Sequence, residues 1–163
     1  MGFGLTPAKF EKRASKNLLN FLMALYTEPI YYIADAIGWE LSRIRPIYEY
    51  YTANEHLKTA SVEIEPGTIC SHKFILEGLK GEDGVVSIEH SFKVCPDKVK
   101  QPPDGSFIKI DGRPRVEVEI KGDFWPWAML STTAHAVNAI PRVVDAEPGF
   151  MSLKDLPLVT AIT

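Results

Sequence analysis

The sequence predicts an α+β fold, an antiparallel-rich (mixed) open sheet covered by a few helices. Three observations predict it. Residues 40–121 carry strand texture, with alternating apolar and polar positions broken by Gly- and Asp-containing turns. Helical periodicity is confined to the two ends of the chain. Strands and helices are therefore segregated in sequence, which argues against the βαβ alternation of a doubly wound parallel sheet.

Each element follows from local chemistry. Thr6 suits an N-cap and Pro7 the first helical position, so a short helix starts there. Ile30, Ile33, Ala34 and Ile37 fall at i, i+3, i+4 and i+7, predicting a second helix from about Glu28-Pro29-Ile30, with Gly38 as its C-terminal cap. Tyr26, Tyr31 and Tyr32 crowd its start, either as core packing or as the wall of a pocket. Residues 41–51 are rich in Ile and Tyr and interrupted by Pro46, which suits an edge strand or a bent one. Residues 68–79 and 85–94 flank Gly81-Glu82-Asp83-Gly84, a hairpin signal. In the first of these strands Cys70, His72, Phe74 and Leu76 share a face; in the second His90 lies on the apolar face with Val86, Ile88 and Phe92. A loop over 96–105, with Pro102-Pro103-Asp104-Gly105, precedes another hairpin, 107–110 and 116–120 around Asp111-Gly112-Arg113-Pro114. Residues 126–140 read as a helix that stops or kinks at Pro141, and the tail over 145–158 is loop-like.

Bulk properties bound the function. A chain of 163 residues fits one domain, 1–163, large enough for a substantial core. Its 18 basic and 21 acidic side chains are scattered and give a net charge of −3, without a basic stripe, so nucleic acid is not an expected partner. No apolar run approaches the ~20 residues of a membrane span. Cys70 and Cys95 belong to no CxxC pair and are expected as reduced thiols of a cytoplasmic protein.

Chemistry-bearing candidates are few. Met1-Gly2-Phe3-Gly4 follows no strand, so the dinucleotide fingerprint fails; GxSxG and HExxH are absent too, and no cofactor is expected to be held by this chain. His90 on an apolar strand face is either a hydrogen-bonded core histidine or part of a pocket wall. Ser131, His135 and Asn138, at i, i+4 and i+7, form a polar stripe on the last helix; it is either functional or the face of a closely packed helix on which Asn138 ties off carbonyls freed by Pro141. Cys70, His72, His90 and Cys95 contain a zinc-type ligand set, but Cys95 has the opposite strand parity to His90 and the spacing matches no common signature, so no metal is expected. Trp125 and Trp127 flank Pro126, as core residues or as an interface.

Several segments together carry a family resemblance. They are Met1-Gly2-Phe3-Gly4 with Pro7 and Phe10, residues 33–41 (IADAIGWEL), the Glu89-His90 pair, residues 133–144 (TAHAVNAIPRVV), Pro148-Gly149 and Asp155-Leu156-Pro157. In this order, over nearly the whole chain, they resemble the C-terminal domain of the dihydrodipicolinate-reductase-like group, which includes 2,4-diaminopentanoate dehydrogenase and the native amine dehydrogenases. The resemblance implies an N-terminal Rossmann domain that holds NAD(P), followed by an α+β domain that closes the substrate pocket and forms a homodimer. It implies that His90 matches a pocket histidine, with Phe92 beside it. Where the family often has Gly-His-x-Gly-Leu, this chain has Leu22-Met23-Ala24-Leu25-Tyr26. Met23 thus stands where a second pocket histidine is expected, implying a more apolar ligand, or it simply fills space.

The expected substrate-binding set is His90, Phe92, Met23, Tyr26, His72 and His135. The expected function is that of a substrate-binding and oligomerisation domain of an NAD(P)-dependent amine or amino-acid dehydrogenase-like oxidoreductase, not redox-competent alone. NAD(P) enters only with a Rossmann-domain partner or a missing N-terminal domain, and a small-molecule ligand and a homodimer complete the expected partners. The alternative is a free-standing small-molecule binding protein, or a cofactor-free isomerase or cyclase, that reuses the pocket for a more apolar ligand. The apolar stretch Leu18, Leu19, Phe21, Leu22, Met23 and Leu25 favours it. A purely structural homodimer is a third option.

Overall fold

A computed structural model of the chain describes residues 1–13, 15–102, 105–121 and 126–160. Pro103, Asp104 and Trp125, named above, lie outside the described residues. The chain divides into two compact units, Met1–Asp104 and Gly105–Thr163.

The first unit begins with helices α1 (Pro7–Arg13) and α2 (Ser15–Ala36). Strands β1 (Arg43–Thr52), β2 (Leu57–Lys58), β3 (Glu63–Ile64), β4 (Ile69–Lys80) and β5 (Asp83–Lys93) follow. β1, β4 and β5 form one antiparallel sheet in the order β1-β4-β5, and β2 pairs with β3 in a separate ribbon. The central strand β4 is buried almost throughout, while Pro46 sits on the edge strand β1, where its missing N–H need not break a ladder on both sides. The β4–β5 connection is tighter than the four-residue loop expected: Lys80 pairs with Asp83, and Gly81 takes the turn at φ +66°.

Strand alternation gives the sheet two unlike faces. Phe74 and Leu76 of β4, Ile44 and Tyr48 of β1, and Val86, Ile88 and Phe92 of β5 face α2, which supplies Leu18, Leu19, Leu22, Met23, Tyr26 and Ile30. On the other face charges are paired across strands. Arg45 meets Glu77 at 2.7 Å, and Lys73 lies between Glu49 (3.3 Å) and Glu89 (3.6 Å). A smaller apolar cluster of Ala53, Leu57, Ile64, Cys70 and Val99 fills the end near β2 and β3.

The second helix differs from the expectation. It begins at Ser15, not near Glu28, and runs through Pro29. Proline removes one backbone bond and costs ~3 kcal/mol inside a helix. Burying Leu22 and its apolar neighbours against the sheet, at roughly 1.5–3 kcal/mol per large side chain, outweighs that cost. At its far end the expectation holds: Gly38 at φ +74° follows the helix, Trp39 N–H donates to Ala34 O at 2.8 Å and Gly38 N–H to Asp35 O at 3.1 Å. This is a Schellman closure, which needs the left-handed residue that glycine supplies.

The second unit contains strands β6 (Ser106–Ile110) and β7 (Val116–Ile120), an antiparallel hairpin, and helix α3 (Ala128–Val144). Its register places Ile108 and Ile110 opposite Val118 and Val116, so these share one face of the hairpin with Ile120, and all are exposed. α3 continues through Pro141 to Val144 rather than stopping there; Asp145 N–H closes it by donating to Pro141 O at 3.0 Å. Asn138 makes no hydrogen bond among the described residues, so it does not tie off the carbonyls near Pro141.

Contact between α2 and the sheet depends on one glycine. A Cβ on Gly78 would lie 2.7 Å from Leu41 Cδ1 and 2.8 Å from Ile30 Cγ2. The Leu41 terminus is able to rotate, but the β-branched Ile30 methyl on a helix is not. Gly78→Ala is therefore expected to destabilise the protein by about 1–3 kcal/mol, read as a lower urea midpoint. An unchanged midpoint would show that α2 does not sit this close to β4.

Candidate functional site

Residues at alternate positions of β4 and β5 project from the α2-covered face in a row. His90 and Phe92 are two apart on β5, so both face α2, and Phe92 lies opposite His72 of β4. Ring contacts link them continuously. Tyr26 of α2 lies 5.3 Å from His90, His90 stacks on Phe92 at 4.3 Å and 25°, and Phe92 is 5.2 Å from His72. His72 is in turn ringed by Phe3 at 5.3 Å, Tyr48 at 5.7 Å and Phe10 at 6.2 Å.

Phe3 reaches this row because its segment is held to the start of β4. Gly4 N–H donates to Ile69 O and Ile69 N–H to Leu5 O, each at 2.9 Å. Gly2 and Gly4 flank it at φ +82° and +78°, the left-handed region that favours glycine. Phe3 also borders an open cavity of about 620 Å³, lined by the Met1–Gly2 end, Leu5 and the Asn17, Leu18 and Phe21 positions of α2.

The two histidines have different surroundings. The Tyr26 hydroxyl and His90 Nδ1 are 2.5 Å apart. Burial holds the Tyr26 pKa above its usual value and the His90 pKa below its usual value, so both are neutral at pH 7. His72 is fully buried, and neither of its ring nitrogens has a partner among the described residues; nor does the Tyr48 hydroxyl beside it. Desolvation pushes the His72 pKa down to about 4 and raises that of Tyr48. The row thus offers neutral donors and acceptors between aromatic faces.

Of the expected set, His90, Phe92, Tyr26 and His72 meet in this row. Met23 is half-buried in the same apolar layer, packed with Leu22, Ile30, Phe74 and Leu76. His135 lies in the other unit, exposed on α3 with Ser131, and Trp127 is exposed before it. Phe3, Phe10 and Tyr48 were not anticipated. Tyr48 shares strand parity with Ile44 and Pro46, which was a usable signal; Phe3 and Phe10 reach the row only through tertiary packing. Cys70 and Cys95 are free thiols, Cys70 in the smaller apolar cluster, and no group of three His, Cys, Asp or Glu residues suited to a metal converges among the described residues. No helix among them is long and apolar enough to cross a membrane.

The fold is α+β, an open antiparallel sheet with one helix-covered face and one face of paired charges. The chain belongs to the 2,4-diaminopentanoate dehydrogenase C-terminal domain family, whose model matches residues 1–163. It is 29% identical to a 2,4-diaminopentanoate dehydrogenase of Acetoanaerobium sticklandii over 168 aligned residues, covering 99% of this chain and 45% of that protein. It is 31% identical to an amine dehydrogenase of Streptomyces virginiae over 144 residues, covering 80% of this chain and 40% of that one. The structure of an amine dehydrogenase from Mycobacterium smegmatis shares its fold, with a TM-score of 0.61 at 21% identity over 98% of this chain and 46% of the other. The chain thus spans less than half the length of these relatives.

Unpartnered His72 generates a prediction. The unfolded chain protonates this imidazole near pH 6.5, the folded chain only near pH 4. Between those values the unfolded state binds more protons, so stability falls as pH drops from 6.5 towards 4, by up to roughly 3 kcal/mol. His72→Phe is expected to flatten that acid-side slope and to raise stability at pH 7 by about 1 kcal/mol, because an unpaired buried polar group is removed. Urea unfolding at pH 7 and pH 4.5 measures both; a destabilised variant with the slope intact would mean that His72 has a hydrogen-bond partner.

Proposed function

We propose that this chain supplies the substrate-binding and subunit-association part of an NAD(P)-dependent amine or amino-acid dehydrogenase, both units belonging to that one part. The hydride chemistry then depends on a dinucleotide-binding domain outside these residues. The observation that carries this is the Tyr26–His90 pair at the head of the aromatic row, in a chain of this family. His90 and Tyr26 supply hydrogen-bonding atoms, Phe92 a flat apolar wall and Met23 a soft one; His72 lies deeper in the row. Two free thiols suit the cytoplasm.

Support for association comes from the second unit. Ile108, Ile110, Val116, Val118 and Ile120 form an uncovered apolar hairpin face, and α3 exposes Leu130, Val137 and Ile140. Apolar area of this kind seldom stays in water, and a second copy related by a two-fold axis is the simplest cover.

A second reading has its own observation. Met23 and the open cavity bordered by Phe3, Leu18 and Phe21 favour a free-standing binder of apolar small molecules.

Calorimetric titration of the 163-residue chain with NADH and NADPH is expected to show no binding. Joined to a dinucleotide-binding domain, the chain is expected to support amine-dependent reduction of NAD(P)+, and His90→Ala to lower kcat/KM roughly tenfold, the scale of one hydrogen bond. Tight nicotinamide binding by the chain alone, or a silent His90→Ala, overturns the proposal; no turnover but tight binding of an apolar ketone selects the second reading. Sedimentation at micromolar concentration is expected to give a dimer that Val118→Lys converts to monomer. A wild-type monomer removes the association role.

A further inference from the structure

A neutral histidine carries one ring proton, and which nitrogen holds it decides whether the ring offers a ligand a donor or a lone pair. At His90 the surroundings make that choice. Nδ1 faces the Tyr26 hydroxyl at 2.5 Å, and among the described residues no other group bonds the ring. Two arrangements fit two neutral partners: the phenol donates to Nδ1, or Nδ1–H donates to the phenol oxygen. An unprotonated imidazole nitrogen is a far better acceptor than a phenol oxygen, and the phenol O–H is the more acidic donor. Phe92, stacked on the ring at 4.3 Å and 25°, restrains its plane, and the contact with Tyr26 sets which edge faces α2.

We propose that Tyr26 is a positioning residue that fixes His90 as the Nε2–H tautomer, leaving Nε2–H as the donor the ring presents. The complementary ligand group is then an oxygen that accepts a hydrogen bond. An ammonium group, which has only donors, finds no acceptor on this ring. The recognition half of the proposal rests on His90 being a pocket residue; the tautomer half rests on geometry alone.

Long-range 1H–15N spectra of the labelled 163-residue chain read the tautomer directly, with the His90 signal assigned by its loss in His90→Gln. Nδ1 is expected to resonate as an unprotonated nitrogen and Nε2 as a protonated one. In Tyr26→Phe, which keeps the ring and removes the hydroxyl, the two nitrogens are expected to move towards each other as both tautomers become populated. Tyr26→Leu gives the same readout should the first variant unfold, with circular dichroism as the check on folding. In the nucleotide-dependent assay, Tyr26→Phe is expected to raise KM for a substrate bearing an acceptor oxygen about fivefold to tenfold and to leave kcat within about twofold. A proton on Nδ1 in the wild type, or a tautomer unaffected by losing the hydroxyl, overturns the proposal. A lock that holds while His90→Ala leaves KM unchanged overturns only its recognition half, together with the pocket role of His90.

Discussion

Everything in the first unit depends on α2 lying directly on the covered face of β4. That contact buries Leu22 and Ile30 of the helix against Phe74 and Leu76 of the strand, and it is close enough that only glycine fits at position 78. A helix with a proline near its middle is a poor helix in isolation. It persists because a long apolar stripe is removed from water over its whole length. The same contact brings Tyr26 to His90, so the packing that holds the fold also builds the polar end of the site.

An aromatic row between helix and sheet is good packing, but His72 and Tyr48 within it bury polar atoms without partners. Selection for packing alone favours apolar rings at both positions. His90 differs in being tied to Tyr26 and only half-buried. The row is therefore graded, with a bonded, accessible histidine at one end and an unbonded, enclosed one further in.

The matched relatives, a 2,4-diaminopentanoate dehydrogenase and two amine dehydrogenases, are more than twice this chain's length. Nothing in the described sheets is a parallel βαβ unit of the kind that seats a dinucleotide at a helix N-terminus.

Sequence by itself determined the fold class, most strands and the faces they present. Period-two alternation is local, and it puts His90 and Phe92 on one face of their strand and Cys70, His72, Phe74 and Leu76 on one face of theirs. The Schellman end of α2 was equally legible, because only a left-handed residue closes a helix that way. Tertiary structure alone decided the rest. Residues 15–27 lead into a proline, and their helix is held by the sheet it covers. α3 likewise runs past Pro141, a position where local propensity predicts a break. The site followed the same rule: its histidines could be found on their strands, but their partners Tyr26, Phe3 and Phe10 come from distant segments. No periodicity encodes which ring meets which, since that is fixed by the angle and depth at which one layer settles on another.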